Sequence, residues 1–242
     1  EVRLALDLLS NCKRFVLEDC GLSSDVLVKL REDYRDRTKV VWRVYFGNGT
    51  SLTDAEVVRS VYDLKDSNCS ELQYLEDVKY ADFGHDEYLN DSSFLSGMKS
   101  LEVLIISGSP IKDLSPLSAC KNLRILEIAN CGYITDLSPL EDCESLEMLN
   151  ISHTKATEGL SALEERNITH LTAVGGIWNK ISQEDRDAFQ EDHPDCWIVT
   201  SGNEYGVGWR YEDKETKMEW YEKASEAFKY PHAPNNVGWY LE

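Results

Sequence analysis

Apolar residues recur along the middle of the chain in a Leu-x-x-Leu-x-Ile pattern. The pattern begins at Leu101, Leu123 and Leu146, and a related form begins at Ile168. The separations between these starts are 22, 23 and 22 residues. A fixed period of this length predicts a solenoid in which each turn adds one short strand to a parallel sheet, because no single repeat can bury its apolar face alone.

A second repeated pattern, Ile-x-Asp-Leu-Ser-Pro-Leu, occupies residues 111–117 and 134–140. Asp and Ser end a strand, and Pro presets a tight turn or the first position of a short helix. We therefore expect these segments to form the convex half of each turn, with their apolar residues in the core.

Fainter copies of the first pattern begin at Cys12, Val41 and Leu75, and residues 194–199 resemble a last strand. These copies raise the prediction to about eight parallel strands. The longer outer turns have room for α-helices, which we predict over 23–34, 54–64 and 182–190 because a capping residue opens each range. Residues 1–11 are either an N-terminal cap or the remnant of a longer solenoid.

The repeats resemble the leucine-rich repeats of bacterial surface and secreted proteins, in particular the short internalin-like repeat with its Ile-x-Asp-Leu-x-Pro-Leu signature. The match is specific over 101–160 and weaker over 12–100 and 161–200, and residues 38–47 are similar to a strand of uncharacterised repeat proteins of Gram-positive bacteria. The resemblance implies an α/β fold, a right-handed leucine-rich-repeat superhelix. It also implies export to the cell surface or the medium, contact with a protein partner, and no enzyme chemistry.

We call the face of the sheet that points away from the core the concave face. Side chains alternate along a strand, so the residues between the core positions belong to this face. The pattern predicts a partner-binding surface made of Arg43, Tyr45, Lys79, Val103, Ile105, Ser107, Ile125, Glu127, Met148, Asn150, His170 and Thr172. Its centre, at Val103, Ile105, Ile125 and Met148, is one apolar patch if nothing covers it, and such patches usually mark interaction sites. Alternatively, packing between adjacent turns requires β-branched residues at these positions.

Residues 204–242 differ from the repeats in being rich in Trp and Tyr. Met218, Tyr221 and Phe228 suit one face of a helix that stops before Pro231. Because a solenoid needs its last repeat covered, we predict a solenoid over residues 1–203 and a C-terminal aromatic cap over 204–242.

Three functions remain open at this stage. The first is a protein-interaction module that binds through the concave face. The second is a carbohydrate or cell-wall binding module, in which C-terminal aromatics such as Trp209 and Trp220 stack on sugar rings. The third is a structural spacer that binds nothing by itself.

The composition argues against nucleic-acid binding, a membrane span and a zinc site. The 242 residues include 44 acidic and 25 basic side chains, giving a net charge of −19, and such a surface repels nucleic acids. No apolar stretch is long enough to span a bilayer. The seven cysteines form no CxxC pair or zinc spacing, and five of them fall on repeat positions, which predicts core residues.

Candidate catalytic residues are few. The histidines show no HExxH spacing, and no nucleophile elbow, P-loop or dinucleotide motif occurs. The segment Gly84-His85-Asp86-Glu87 could imitate a metal or acid–base cluster, but isolated polar loop residues are usually only solvated. We therefore predict a monomeric protein without catalytic site, metal or cofactor.

Overall fold

The computed structural model describes residues 1–9, 11–202 and 219–228. The strands are β1 (Arg14–Leu17), β2 (Lys39–Phe46), β3 (Gly49–Leu52), β4 (Val57–Arg59), β5 (Tyr80–Asp82), β6 (Val103–Ile105), β7 (Ile125–Glu127), β8 (Met148–Asn150), β9 (His170–Thr172) and β10 (Trp197–Val199). The α-helices are α1 (Val2–Leu8), α2 (Ser24–Tyr34), α3 (Gln183–Asp192) and α4 (Glu219–Phe228). Short 3₁₀ helices cover Ser70–Tyr74, Ser93–Gly97, Ser115–Ala119, Ser138–Asp142, Leu160–Leu163 and Trp178–Lys180.

A seven-stranded sheet forms the solenoid, and its strands follow one another in chain order from β4 to β10. Every neighbouring pair is parallel. The middle residues of the strands form one row in register that points into the core: Val58, Ala81, Leu104, Leu126, Leu149, Leu171 and Ile198. The predicted repeat period is thus confirmed as one strand per turn.

The first strands depart from the prediction of a single sheet of about eight parallel strands. β1 pairs in parallel with β2, but β2 then pairs with β3 in an antiparallel hairpin, and these strands form a separate three-stranded sheet. The helix predicted over 54–64 is wrong, because β4 lies there and starts the larger sheet. Asp54 had suggested a helix cap, but its carboxylate instead pairs with Arg14.

The other two predicted helices are confirmed as α2 and α3. Ser182 caps α3, since its hydroxyl oxygen accepts a hydrogen bond of 3.0 Å from the backbone N–H of Asp185. α2 buries Leu27, Leu30 and Tyr34 against the first sheet. Both helices replace the short 3₁₀ turns of the middle repeats, as expected from their longer sequence spacing.

On the convex side the 3₁₀ helices of successive repeats stack on one another. An aspartate precedes each of three of these helices and accepts a hydrogen bond of 2.8 Å from the N–H two residues later: Asp91 from Ser93, Asp113 from Ser115 and Asp136 from Ser138. The last two belong to the predicted Asp-Leu-Ser-Pro-Leu turns. The first is a third copy of the same turn, which lacks the proline.

One apolar core runs the length of the solenoid, from Leu6 to Phe189. Cys120 and Cys143 occupy equivalent places in it at the ends of successive 3₁₀ helices. The thiol of Cys143 donates to the Leu117 carbonyl at 3.5 Å. The expectation that the cysteines are core residues holds for Cys69, Cys120, Cys131 and Cys143, whereas Cys20 is exposed and Cys12 and Cys196 are partly exposed.

Candidate binding surface

The concave face carries two rows of side chains in register across the seven strands. The first row contains Val57, Tyr80, Val103, Ile125, Met148, His170 and Trp197. The second row contains Arg59, Asp82, Ile105, Glu127, Asn150, Thr172 and Val199. The strands therefore bring together most of the side chains predicted to bind a partner.

The centre of this face is not exposed. Val103, Ile105 and Ile125 have 0% of their surface accessible and Met148 has 5%, so the prediction of an exposed apolar patch is wrong. Alternation along the strands was read correctly, but it does not reveal what packs on the outer side of a sheet. The apolar character of these positions reflects burial within the folded chain.

Polar residues of the second row are buried as well. Asp82, Glu127 and Asn150 lie between 0% and 1% exposed, although Glu127 and Asn150 were predicted to face a partner. Glu127 accepts a hydrogen bond of 3.3 Å from the Ser107 hydroxyl, and Asp82 lies 3.4 Å from the Arg59 guanidinium. Buried charged groups need such partners, and these contacts offset part of the cost of burying Asp82 and Glu127.

The same burial applies to two further predicted contact residues. Ser107 is fully buried, and Thr172 is 2% exposed. Neither offers a surface to a partner while the concave face is packed in this way.

Three predicted residues lie elsewhere. Arg43 and Tyr45 belong to β2 and so to the separate three-stranded sheet. Lys79 precedes β5, because the register of this repeat is set by Ala81 opposite Leu104. The concave residues of this repeat are consequently Tyr80 and Asp82.

Lys79 instead belongs to a row of charges at the edge where the strands begin. Its ammonium group lies 3.0 Å from the Glu56 carboxylate of the previous turn. Further along the same edge, Arg124 makes a two-pronged contact with Glu147 at 2.7 and 2.8 Å. Opposite charges on adjacent turns neutralise this edge, which makes it a weak source of electrostatic attraction for a partner.

The ends of the concave face remain partly accessible. Tyr80 and His170 are half-buried, and the His170 ring meets the Trp197 ring edge-on with centroids 5.4 Å apart. Burial lowers the pKa of His170. A neutral imidazole beside an indole gives this end of the face an amphipathic aromatic surface.

Helix α4 lies over the other end and contacts β4 and β5. Its Ala224 is fully buried, while Glu222, Lys223 and Glu226 are exposed. The cap predicted for residues 204–242 was expected at the last repeat, whereas this helix packs at the first strands of the sheet. Of the aromatic residues proposed for glycan binding, Trp209 lies outside the described residues and Trp220 lies in α4, and nothing tests that alternative, so it stays a prediction.

A feature that the sequence analysis missed is a row of left-handed residues just beyond the strands. Positive φ angles between 56° and 81° recur at Tyr62, His85, Gly108, Asn130, His153 and Gly175. The backbone N–H groups continue the ladder there, for example from His85 to the Ser107 carbonyl at 2.7 Å. The signal was present, since Gly, Asn and His tolerate this conformation and follow the same period of 22 or 23 residues.

The segment Gly84-His85-Asp86-Glu87 has a structural explanation. Asp86 is 1% exposed, and its carboxylate accepts a hydrogen bond of 2.9 Å from the Leu64 N–H of the previous turn. Burial, with a smaller contribution from the Asp63 and Asp82 carboxylates, raises the pKa of Asp86 to about 7. This buried carboxyl group ties two turns together.

Within residues 1–9, 11–202 and 219–228, no group of three or more His, Cys, Asp or Glu side chains is arranged to hold a metal ion. No helix in that part of the chain has both the length and the apolar character needed to cross a membrane. What the structure leaves of the predicted binding surface is a packed concave face with two partly accessible ends.

Comparison with known families agrees with this architecture. A sequence model described as leucine-rich repeats, in two copies, matches residues 99–142. Residues 99–142 are therefore leucine-rich repeats. Strands β8, β9 and β10 extend the leucine-rich-repeat ladder beyond the matched residues in the same parallel register. No curated protein sequence matches the chain.

Solved structures of bacterial leucine-rich-repeat proteins are similar to part of this chain. An internalin of Listeria monocytogenes is 20% identical with a TM-score of 0.41, covering 62% of this chain and 49% of its own. A leucine-rich-repeat protein of Leptospira interrogans is 22% identical with a TM-score of 0.46, covering 53% and 33%. A second Listeria monocytogenes internalin is 17% identical with a TM-score of 0.35, covering 53% and 63%. This chain spans less than two thirds of each, and similarity at this level says nothing about function.

Proposed function

We propose that this chain is a protein-binding module whose binding surface is the concave face of the seven-stranded sheet. Leucine-rich repeats are typically binding modules rather than enzymes, which supports the general assignment. The observation that carries the choice of face is the packing of α4 on β4 and β5. A surface that accommodates a helix of its own chain has a shape that suits a segment of another protein.

We expect the two partly accessible ends of the concave face to contribute most of the binding energy. Tyr80 and His170 lie in the same row, each on the second strand from one end of the sheet, and keep part of their surface accessible. Aromatic side chains held on a rigid sheet lose little conformational entropy on binding and frequently dominate interface energies. The proposed contacts with the partner are therefore at β5 and β9, on either side of the buried centre of the face.

Matched variants test the proposal. A Tyr80→Ala/His170→Ala double variant should lose at least about tenfold of the affinity for a protein partner, as expected for two aromatic anchors. A Tyr88→Ala/Tyr133→Ala double variant is the control, because these tyrosines are 72% and 64% exposed and lie away from the concave face. Quantitative affinity capture would compare the proteins retained by each. If both variants retain the same proteins as the wild type, the concave face is not the binding surface.

Export to the cell surface or the medium is part of the same proposal and is supported by the internalin-like Ile-x-Asp-Leu-Ser-Pro-Leu turns. Immunodetection in cytoplasmic, cell-wall and medium fractions of the producing cell tests it. A protein confined to the cytoplasm would contradict it. The monomeric state stays a prediction that light scattering after size-exclusion chromatography can check.

A further inference from the structure

The tip of the β2–β3 hairpin carries a reactive dipeptide. The chain turns through Gly47 and Asn48, and Asn48 is followed by Gly49, the first residue of β3. Asn48 and Gly49 are both exposed. No other asparagine in the sequence precedes a glycine. An asparagine in this position is prone to react with the backbone of the next residue, because glycine has no side chain that obstructs its own nitrogen.

The reaction converts the side-chain amide of Asn48 to a carboxylic acid. The backbone nitrogen of Gly49 loses its proton to hydroxide and attacks the side-chain carbonyl carbon of Asn48. A bond forms between these two atoms, the bond to the Asn48 Nδ2 atom breaks, and ammonia leaves. Water then opens the succinimide ring at either of its carbonyl groups, which leaves aspartate or isoaspartate. Because the reacting groups belong to adjacent residues, the reaction needs no enzyme.

The packing of the hairpin tip leaves room for this attack. Gly49 pairs with Phe46 as the last pair before the turn, and the terminal pair of a ladder opens most readily. A Cβ atom on Gly49 would meet only Phe46 atoms, at 3.7 Å or more. The Gly49 nitrogen can therefore leave the ladder without disturbing the core of the solenoid.

The side chain of Asn48 also joins the hairpin to the larger sheet. Its Nδ2 atom donates a hydrogen bond of 2.6 Å to the Oδ1 atom of Asp63, which lies beyond the end of β4. Asn68 connects the same loop to the turn, since its carbonyl accepts from the Gly47 N–H at 3.4 Å and its amide donates to the Asp63 carbonyl at 3.1 Å. The turn thus rests on the loop that follows β4, and Asn48 supplies a side-chain donor to this contact.

We propose that Asn48 is a site of spontaneous deamidation, and that the carboxylate formed there releases the hairpin tip from Asp63. A carboxylate has no proton to donate, so the hydrogen bond is lost and two negative charges face each other. Isoaspartate also lengthens the backbone of a two-residue turn whose length fixes the register of β2 with β3. The age of each molecule then determines how firmly its hairpin is held.

Peptide mapping of aged wild-type protein tests the modification. The tryptic peptide 44–59 contains Asn48 as its only asparagine or glutamine. At pH 8 and physiological temperature this peptide should gain the mass difference between an amide and an acid and separate into aspartate and isoaspartate forms. Peptide 167–180, in which both asparagines precede larger residues, should change at least about tenfold more slowly. The rate at Asn48 should rise with pH, because hydroxide removes the Gly49 proton.

Gly49→Ala is the matched variant for the chemistry. Its Cβ atom fits at ordinary contact distances and the backbone of Gly49 is not left-handed, so the fold should be unchanged. The added methyl group should slow deamidation of Asn48 at least about tenfold. Equal rates in the two proteins would overturn the assignment. It would also be overturned if native Asn48 stayed intact over a period in which the chain unfolded in guanidinium converts.

Hydrogen exchange tests the release of the hairpin. Asn48→Asp, which carries the product carboxylate, should exchange the backbone hydrogens of β2 and β3 roughly threefold faster than the wild type, as expected for loss of one exposed polar contact. Asn48→Asp/Asp63→Asn exchanges donor and acceptor and should restore the wild-type rate. Equal exchange in all three proteins would overturn the link to Asp63. None of these measurements involves a binding partner, so they are independent of the proposed function.

Discussion

The imidazole ring of His153 lies against the α-carbon of Gly175 on the next turn of the solenoid. A Cβ atom on Gly175 would overlap the ring, and the backbone there has a φ of +81°. His85 and Gly108 repeat the same relationship, with a Cβ on Gly108 falling 2.9 Å from the His85 Nδ1 atom. Histidine on one turn therefore requires glycine on the next.

This relationship predicts unequal effects at two adjacent glycines. Gly175→Ala should lower the free energy of unfolding by more than Gly176→Ala, which has a similar φ of +75° but open space around it. The left-handed backbone costs about 1–2 kcal/mol in both variants, and only Gly175→Ala adds the clash with His153. Thermal or urea unfolding measures both. In a His153→Ala background the difference should disappear, and its persistence would show that the ring is not the cause.

The buried carboxyl of Asp86 predicts a pH dependence of stability. With a pKa of about 7 in the folded state and about 3.9 in the unfolded state, the folded protein holds one more proton between these values. The contribution of Asp86 to the free energy of unfolding therefore falls as pH rises from about 3.9 to 7, by about 1.4 kcal/mol per pKa unit, and is constant above. Asp86→Asn should stabilise the protein at pH 8 and have little effect at pH 4.

Asp66→Asn is the matched control, because it also removes one negative charge. The Asp66 carboxylate is partly desolvated, but hydrogen bonds from the Asp91 and Asn90 amides outweigh this and lower its pKa. Its stabilising contribution is present above the unfolded pKa and is lost as pH falls through the folded pKa. Asp66→Asn should thus destabilise the protein at pH 8. Equal stabilisation by both changes would mean that net charge, rather than burial of Asp86, sets the response.

The aspartate turns predict a third effect. Asp136 accepts hydrogen bonds of 2.8 Å from the Ser138 N–H and 2.6 Å from its hydroxyl. Asp136→Ala should cost about 1 kcal/mol of stability, as for loss of a helix cap, and Asp136→Asn should cost less because its Oδ1 can still accept. Asp142→Ala in the same turn removes only an exposed pair with Lys121 and should cost under about 0.5 kcal/mol. Similar losses at Asp136 and Asp142 would contradict this role.

The cysteines differ in accessibility, which thiol labelling can measure. Cys20 is exposed and should react first, followed slowly by Cys12 and Cys196. Burial raises the pKa of Cys120 and of Cys131 to about 12, and that of Cys69 and of Cys143 to about 11, so these thiols should stay unlabelled in the native state. Cys20→Ser should remove the fast phase, and all seven should react in denaturant. Rapid native labelling of a fourth thiol would contradict the buried placement.

The repeat period predicted the middle of the fold well, because Leu104, Leu126 and Leu149 point into a core that adjacent turns share. It placed β5 in the wrong register. The first two apolar positions of the pattern fit Leu75 and Val78, which are both fully buried, as well as they fit Val78 and Ala81, which the strand pairing shows to be correct. β4 was predicted as a helix because its three residues are too few to show the alternation of a strand, while the composition around them is typical of a helix.

The candidate surface was predicted only in part. Alternation correctly assigned Val103, Ile125, Met148 and His170 to one row of the concave face. Their burial could not be predicted in the same way, because alternation along a strand does not reveal what packs on the outer side of a sheet. Long-range packing decides which part of a repetitive surface stays open.

The position of α4 also has a consequence for biosynthesis. Successive repeats can stack as each leaves the ribosome, but residues 219–228 emerge well after β4 and β5. At typical elongation rates the delay is roughly 10–30 s, far longer than the formation of local structure. During that interval Tyr80 and its neighbours on the concave face are not yet covered by α4. If translation stalls before α4, we expect the exposed surface of the nascent chain to bind chaperones or to self-associate.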